Sequence, residues 1–528
     1  MDNRMNNDLE NEHNSSIFIT NFQNGEVVNY SLVLIKGFIT RGNANNQDKL
    51  LCIQRNEGNQ TKSEWDVHNG EFKVILELGR GQNIIELQYT EQQRKTFLLD
   101  YSPRKTNLRV TPVYIICQGH DGCFQSPPEV DNSIESAAAR IALGSKLIQS
   151  LTAEKLFESG VGRKTFQLEH EVTSKQQECL IFRSALNVNK ARKMSQADLW
   201  THFGRELMLS ELGSNERKFL GFISCTRFKG TDVDKPMSHD EIVSITEAYA
   251  ALGGGGLALF GTGCLYTWPT TVSEIVPKFL DSTPVNAKRF MDDSGYRGTL
   301  GACFATTLGS VFHELGHTFD LGHTKEGIMG RGFDNLDKVF IVVQHSTVSL
   351  QRNISVTMNV AEPLRVLGPR SKTTLGNFAS MSKSDIIRRS PNVTPITRPS
   401  SVYSSMITNK FSDSRKNLNK TNGNDSVYWT RNCAVLLSYH RWFNNEYGRE
   451  RQAITRYLKF DKNKMMIIST AGIRIVEVRD ESNGMVLDSY EFTNPLPEKR
   501  FLVPFTFSPK TKVLTIVLTI SEELKRKY

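Results

Sequence analysis

The segment His313-Glu-Leu-Gly-His317-Thr-Phe-Asp-Leu-Gly-His323 contains three histidines and one glutamate at the spacing of a catalytic zinc site. Positions 313 and 317 are four residues apart, so on a helix their side chains share one face, about 5–6 Å apart. A catalytic zinc ion has three protein ligands and leaves its fourth position to water. Glu314 follows the first histidine and is suited to take a proton from that water. The segment therefore predicts that His313, His317 and His323 bind one Zn²⁺ per chain and that Glu314 is the general base.

The third histidine requires a break in the helix. A continued α-helix turns about 100° per residue, so His323 would lie about 240° around the axis from His317, on the wrong face. Asp320 and Gly322 fall between the two, and both residue types adopt turn or left-handed conformations more readily than most. A core-facing stripe at spacings of three and four supports the helix up to this point: Phe304, Leu308, Val311, Leu315 and Phe319. We predict a helix over 301–319, a positive φ at Asp320 or a neighbour through Gly322, and then the third ligand.

The alternative is a helix whose histidines are only packed in a core or solvated. The chain has 11 histidines in 528 residues. A chain of this composition contains an accidental His-Glu-x-x-His on the order of 0.01 times, and a third histidine at a fixed offset lowers this about fifty-fold. The coincidence of three ligands and a base favours the metal site.

The same segment resembles the long zinc-binding motif of the metzincin metalloproteases, whose third histidine follows the second by six residues. That motif usually has a glycine midway between the two, where this sequence has Asp320. Gly327-Ile-Met-Gly-Arg-Gly-Phe-Asp334 follows, and Met329 resembles the methionine that metzincins hold in a tight turn beneath the metal. The two segments together resemble a eukaryotic zinc peptidase family without secretion signals. The specific match covers about residues 301–334, and a weaker match extends through Trp429–Phe443.

Modules are predicted on both sides of a catalytic domain. Residues 15–105 contain β-branched and aromatic runs with turns between them, in a pattern that resembles an immunoglobulin-like β-sandwich. Residues 106–445 begin with an apolar strand at Val110–Cys117 and a long helix after Ser133, an order that is also found at the start of metzincin catalytic domains. Residues 446–528 predict a small C-terminal β-domain. The predicted fold class is an α+β metzincin-like catalytic domain between these two β-modules.

Two shorter segments bear on the cleft. Gly253–Gly256 lacks the Gly-Lys-Ser/Thr of a phosphate loop and is interpreted as a turn into a strand at 257–260. That strand is either an ordinary short strand or the sheet edge that borders the cleft and offers unpaired backbone groups to an extended peptide. The apolar run 427–443 predicts a buried helix, with His440 as a core histidine and not a fourth ligand.

The positive charge is concentrated in one segment. The chain has a net charge of +9, and residues 365–420 hold 11 Lys and Arg against Asp385 and Asp413, which accounts for the whole excess. This segment is rich in Ser, Thr, Asn and Pro and predicts a disordered basic insertion over 365–426, while residues 1–14 predict a disordered tail. No finger motif or basic-aromatic pattern accompanies the charge, so nucleic acid is not expected as a partner.

Composition also indicates the compartment. The chain has no run of about 18 apolar residues, so no membrane span is expected. Its polar start lacks the apolar core of a signal peptide. We therefore expect a cytoplasmic protein whose eight cysteines are free, mostly buried thiols.

The predicted function is hydrolysis of peptide bonds in protein or peptide substrates by a zinc-activated water, with Met329 supporting the metal without binding it. One alternative is a catalytically silent, zinc-containing scaffold whose terminal β-modules bind partners. Glu314 argues against this alternative, because a structural zinc site needs no base. A zinc hydrolase of non-peptide amides is a second alternative, and the sequence does not distinguish it from a peptidase.

Overall fold

The structure is a computed structural model. It describes residues 17–40, 49–173, 177–232, 237–342, 426–444, 458–461, 463–480, 482–494, 496–504, 513–519 and 523–527. The predicted tail over 1–14 and all but the last residue of the insertion predicted over 365–426 lie outside the described residues. In the described part of the chain, no helix is both long and apolar enough to cross a bilayer. All eight cysteines are unpaired thiols and all except Cys123 are buried, as the composition predicted.

The first unit is a curled eight-stranded sheet. Its strands are β1 Ile17–Ile19, β2 Glu26–Val28, β3 Leu32–Ile39, β4 Lys49–Asn56, β5 Asn59–His68, β6 Glu71–Glu77, β7 Gly81–Gln88 and β8 Arg94–Tyr101. They pair in the order β1-β3-β6-β5-β4-β7-β8-β2. β5 pairs with β4 over most of its length and with β6 at its end, so it joins the two halves of the sheet. Alternate residues such as Val33, Ile35 and Val74 point into a core inside the curl. The immunoglobulin-like assignment of this unit stays a prediction.

The second unit is a five-stranded sheet between two layers of helices. Its strands are β9 Arg109–Gln118, β10 Leu180–Asn187, β11 Arg217–Ile223, β14 Ala251–Gly254 and β15 Leu257–Gly261, and β12 Arg227–Phe228 pairs separately with β13 Thr246–Glu247. The order is β10-β9-β11-β15-β14, parallel from β10 to β15, with β14 antiparallel at the edge. Parallel strands are covered on both faces and are therefore apolar on both, which is why Val110–Cys117 is an almost unbroken apolar run.

The helices of this unit are α1 Ile134–Glu158, α2 Glu169–Val172, α3 Val188–Ala191, α4 Gln196–Leu209, α5 His239–Ser244, α6 Ile275–Phe279, α7 Leu300–Thr318, α8 Asp337–Phe340 and α9 Arg431–Tyr439. Short 3₁₀ turns cover Leu265–Thr267, Val272–Glu274, Gly332–Asn335 and Arg441–Phe443. α1 and α7 pack on the sheet face that carries Tyr114 and Phe222. α4 packs on the opposite face, against Val113 and Phe219. Ser133 caps α1 as predicted, with its side chain accepting from the backbone N–H of Ser136.

Of the two interpretations of residues 257–260, the ordinary short strand is confirmed and the sheet edge is wrong. β15 lies between β11 and β14 and is paired on both sides. The edge strand is β14, which includes Gly253 and Gly254 from the run that the sequence favoured as a turn. Glycine usually weakens a strand, but it allows another backbone to approach closely. A Cβ on Gly253 would overlap the carbonyl oxygen of Glu314, so the glycine lets α7 lie directly against the edge strand.

The third unit is a sheet built on one long strand. Its strands are β16 Leu458–Asp461, β17 Met466–Asp480, β18 Val486–Glu491, β19 Glu498–Leu502, β20 Val513–Thr519 and β21 Glu523–Lys527. β17 pairs with β16, β18, β19 and β20, and β20 pairs with β21. Helix α9 packs on β17, and its Asn432 side chain donates to the Glu477 carboxylate at 2.7 Å. This unit is therefore in direct contact with the helical layer of the second.

A buried ion pair joins the first unit to α1. The Glu154 carboxylate on α1 is fully buried and accepts hydrogen bonds from Asn21 at 2.8 Å, from Tyr30 at 3.3 Å and from the Arg163 guanidinium. Only 6% of the Arg163 side chain is exposed. Such a carboxylate is costly to bury unless its partner is present.

We predict that Arg163→Ala lowers the free energy of unfolding by about 3–5 kcal/mol, because it leaves the buried Glu154 charge with only the partly exposed Lys36, at 3.8 Å, as a counter-ion. The matched control is Arg55→Ala, which breaks the more exposed Arg55–Glu86 pair and should cost about 0–1 kcal/mol. Chemical denaturation of both variants measures the difference. Equal losses would show that the Glu154 site is not energetically distinct from a surface pair.

Candidate metal centre

The central element of the site is α7. Its first turn is capped by Thr299, whose side chain accepts from the Ala302 N–H, and it ends at Thr318. The helix predicted over 301–319 is therefore confirmed. The five apolar residues of its predicted stripe are all buried: Phe304, Leu308, Val311, Leu315 and Phe319. Packing along this stripe fixes the rotation of the helix and so the direction of the face that carries His313 and His317.

The helix ends in a left-handed turn at Asp320. Asp320 has a φ of 67°, its N–H bonds to the His317 carbonyl at 3.1 Å, and the Leu321 N–H bonds to the Gly316 carbonyl at 3.2 Å. These two bonds form a Schellman motif, which satisfies carbonyls that a helix end would otherwise leave unpaired. The positive φ predicted between Asp320 and Gly322 is confirmed, and it lies at the aspartate. The chain then turns back, so that His323 reaches the other two histidines.

The three imidazoles converge on one point. His317 Nε2 lies 3.1 Å from His313 Nε2 and 3.1 Å from His323 Nε2, and the possible ligand atoms of the group all lie within 4.8 Å of one another. Nitrogens bonded to a tetrahedral ion at roughly 2.0–2.1 Å are about 3.3 Å apart. The spacing of these atoms therefore fits one zinc ion.

Each imidazole is held by a backbone carbonyl through its other nitrogen. The Nδ1 atoms of His313, His317 and His323 lie 2.9, 2.8 and 2.7 Å from the carbonyl oxygens of Ile328, Leu321 and Asn483, respectively. A carbonyl oxygen only accepts, so each Nδ1 carries the proton and each Nε2 presents its lone pair to the centre. This is the arrangement that orients metal-binding histidines.

The electrostatics of the group also fit a cation. Burial is the main cause that lowers the pKa of His317 to about 3, and His313 and His323 lower it further. The imidazole is therefore neutral near neutral pH, which is the form that binds metal. Three nitrogen lone pairs directed at one point repel one another, and a divalent cation between them removes that repulsion.

Glu314 lies beside this group and is bonded to the edge strand. Its side chain is buried, and Oε2 accepts the Gly253 N–H of β14 at 2.8 Å. The next N–H on the same side of β14, that of Ala251, lies 3.5 Å from the Gln196 side chain. The edge strand that borders the site therefore uses Gly253 to orient the carboxylate.

Met329 lies under the helix. Met329 is buried, and a Cβ added to Gly316 would lie 2.8 Å from its sulfur. Gly316, the residue before His317, therefore makes room for the thioether because it has no side chain. The Met329 carbonyl accepts the Thr324 N–H at 3.0 Å. The turn that carries Met329 thus also carries Ile328, whose carbonyl holds His313.

A buried lysine closes the C-terminal end of α7. Lys218 donates to the Thr318 carbonyl and, at 3.2 Å, to the Gly255 carbonyl, and it lies 4.4 Å from the centre of the Trp442 ring. Burial lowers the pKa of Lys218 to about 7. A cation at this end of a helix interacts favourably with the helix dipole. His440 is buried nearby, as predicted for a core histidine, with Nε2 3.8 Å from the Asp320 carboxylate.

The sequence predicted that His313, His317 and His323 lie together, and they do. It did not predict the backbone groups that orient them and Glu314. The carbonyl of Leu321 follows from the helix-ending turn and could have been anticipated. The Gly253 N–H and the Asn483 carbonyl belong to distant segments, and a backbone group has no residue type by which a sequence reveals it. Both partners depend on how the sheets pack around α7.

A small apolar cavity of about 40 Å³ lies between α7 and the edge strand. It is lined by Ala251 from β14, by Ser310 and Val311 from α7, and by aromatic residues of the sheet such as Phe222 and Phe260. Ser310 and Val311 lie four and three residues before Glu314, about one helical turn away. A cavity of this size has room for a few water molecules and is far smaller than a typical ligand pocket.

The chain is similar to a family and to two proteins whose names describe putative peptidases. Residues 16–395 match the model of the family described as “Putative peptidase family”. A “Putative zinc metalloproteinase” of Saccharomyces cerevisiae is 26% identical over 338 residues, which cover 59% of this chain and 47% of that protein. A “Putative zinc metalloproteinase” of Schizosaccharomyces pombe is 23% identical over 343 residues, which cover 62% of this chain and 54% of that protein. The chain spans about half the length of these curated relatives.

The positive φ at Asp320 leads to a prediction about metal affinity. Asp320→Gly should keep zinc affinity, because glycine adopts this backbone without strain. Asp320→Val should lower stability by roughly 1–2 kcal/mol and weaken zinc binding, because a β-branched side chain resists this region. Thermal unfolding and competition with a chelator test both variants. If Asp320→Gly weakens zinc binding and Asp320→Val does not, the Asp320 carboxylate matters and the left-handed turn does not.

Proposed function

Because this chain belongs to the family described as “Putative peptidase family”, we propose that it is a zinc-dependent endopeptidase acting on protein or peptide substrates. We assign His313, His317 and His323 as the ligands of one zinc ion. The observation that carries the proposal is the convergence of three Nε2 atoms whose Nδ1 partners are all backbone carbonyls. Random packing of histidines does not direct three lone pairs to one point.

Glu314 is proposed as the general base. A bound zinc ion supplies a water whose pKa is lowered towards about 7 and polarises the scissile carbonyl. The Glu314 carboxylate takes a proton from the attacking water and returns it to the leaving amine. The Gly253 N–H holds Oε2, which restricts the carboxylate to one orientation beside the histidines. A buried carboxylate with a fixed orientation is suited to proton transfer, because the side chain does not have to become ordered during the reaction.

The proposed substrate is a protein or peptide. The apolar space beside Ser310 and Val311 is small, so it would admit only a small peptide side chain. The two outward N–H groups of β14, those of Ala251 and Gly253, already face Gln196 and Glu314 and are not offered to a peptide. The relatives named as zinc metalloproteinases are what favours a peptide over a small amide as the substrate.

We further propose that the catalytic domain is metzincin-like, with Met329 in the supporting turn. Three observations support this proposal: the strand and long helix at the start of the unit, β9 and α1; the turn at Asp320 between the second and third histidines; and the Met329 sulfur against Gly316. The relatives named as zinc metalloproteinases support the peptidase class. A chain that binds zinc and cleaves nothing would be the scaffold of the alternative hypothesis.

Protein purified without exposure to a chelator should contain about one zinc ion per chain. His323→Ala should lose most of this zinc, because two histidines and a water bind far more weakly than three. The control is His202→Ala on α4, a partly exposed histidine outside the site. Elemental mass spectrometry gives the ratio directly. Zinc-free wild-type protein, or equal zinc in both variants, would contradict the ligand assignment.

Glu314→Gln should lower kcat by about 10²–10⁴-fold, the usual contribution of a general base, and should keep zinc. Glutamine still offers an oxygen to the Gly253 N–H, so the fold around the site should survive. The control is Glu216→Gln, an exposed glutamate far along the chain from the helix. The assay compares new peptide termini in a cell extract after incubation with each protein. Unchanged cleavage by Glu314→Gln would remove Glu314 from the proposed mechanism.

A further inference from the structure

The third histidine is held by the C-terminal sheet. We propose that this sheet is part of the metal centre: the turn between β17 and β18 positions His323, and its docking sets the affinity for zinc. We call Asp480 and residues 482–485 of this turn the docking turn. The inference rests on the proposed function only in taking the three histidines as zinc ligands, and it does not depend on what the protein cleaves.

Three hydrogen bonds hold His323 against the docking turn and the first residue of β18. Its Nδ1 donates to the Asn483 carbonyl at 2.7 Å. Its backbone N–H donates to the Gly484 carbonyl at 3.1 Å, and its carbonyl accepts the Val486 N–H at 2.9 Å. His323 therefore lies beside the start of β18 like one residue of an added strand, parallel to Met485. Both the backbone and the ring of the third ligand are fixed by a segment about 160 residues away in sequence.

Arg479 holds the segment just before His323. Its guanidinium donates to the Asp320 carbonyl at 2.6 Å, which is the carbonyl of the left-handed turn, and to the Glu477 carboxylate. A Cβ on Gly322 would lie 2.7 Å from Arg479 Nε and 2.9 Å from the Gly484 carbonyl oxygen. Gly322 is thus a close-contact residue that admits the arginine and the docking turn, and it does not itself have a positive φ.

The arginine is rigid because its own partner is buried. Arg479 is 6% exposed and Glu477 is fully buried. The Glu477 carboxylate accepts from Arg479 Nε at 2.8 Å and from the Asn432 side chain of α9 at 2.7 Å. Buried charges are costly unless their partners are satisfied. The arginine is therefore directed at the Asp320 carbonyl by a network that spans the C-terminal sheet and α9.

The docking turn has its own internal bonds. The Asp480 N–H donates to the Met485 carbonyl at 2.9 Å, and the Gly484 N–H donates to the Asp480 carbonyl at 2.8 Å. The Asn483 side chain accepts the Met485 N–H at 2.9 Å, and Gly484 has a φ of 71°. The Asn483 carbonyl is thus presented to His323 from a closed turn, and the Asn483 side chain helps to close it.

The carbonyls that hold the other two histidines come from outside this sheet. The partners of His313 and His317 are Ile328 and Leu321, which lie within 15 residues of them in the chain. Undocking of the C-terminal sheet would leave a site with two oriented histidines and one disoriented histidine. Zinc binding and docking are then linked, and each favours the other by the same free energy.

The test uses the full chain and measures zinc without reference to cleavage. Arg479→Ala removes the guanidinium that holds the Asp320 carbonyl, and Asn483→Ala keeps the carbonyl that holds His323 but removes the side chain that closes the docking turn. Each should weaken zinc binding, by up to the roughly 10–100-fold that follows the loss of a group orienting a ligand. The control is Arg500→Ala, an exposed arginine on β19 of the same sheet, which should bind zinc as the wild type does. Competition with a chromogenic chelator gives the affinities. Wild-type affinity in both Arg479→Ala and Asn483→Ala would overturn the inference.

A second measurement covers variants that fail to fold. In the wild-type protein, hydrogen exchange of the Val486 N–H should slow when zinc is added, because that N–H bonds to the His323 carbonyl. The Ile85 N–H in the distant first sheet serves as the internal reference. Equal Val486 exchange with and without zinc would refute the linkage. Zinc binding without any cleavage would refute the peptidase proposal alone, so the two failures are distinguishable.

Discussion

The site depends on one constraint: a histidine that binds a metal through Nε2 must carry its proton on Nδ1 and must keep its ring in place. In this protein a backbone carbonyl meets that requirement at each histidine, and each carbonyl comes from a different segment. The turn after α7 supplies the carbonyl that holds His317, and the turn of Met329 supplies the one that holds His313. The C-terminal sheet supplies the carbonyl that holds His323. Much of the surrounding architecture therefore serves to deliver three carbonyl oxygens to one small volume.

Close approach of backbones is the second theme of the site. Gly253 lets the edge strand touch α7 at Glu314, Gly316 admits the sulfur of Met329, and Gly322 admits Arg479. None of these three glycines has a positive φ, so their role is the absence of a Cβ and not backbone freedom. At each of these glycines a neighbouring group lies at short distance, so a small shift of that neighbour would move Glu314 or one of the three histidines.

Buried charges mark the contacts between units. Glu154 with Arg163 joins the first sheet to α1, and Arg479 with Glu477 joins the C-terminal sheet to the turn at Asp320. Such groups contribute little net stability, since desolvation offsets their attraction. Their geometric demands are strict, however, and this favours one docking arrangement of each unit over nearby alternatives.

The sequence by itself determined what is local. Spacing along one helix places His313 and His317 on the same face, and the need to bring His323 back predicts the positive φ found at Asp320, because both follow from the geometry of one turn of chain. Strand order is a long-range property, and so the sequence left open whether 257–260 is an inner or an edge strand; the edge strand is Ala251–Gly254. Only the tertiary structure determines which group bonds to the His323 ring. The Asn483 carbonyl is a group that every residue possesses, and only the docking of a distant sheet selects which carbonyl meets the ring.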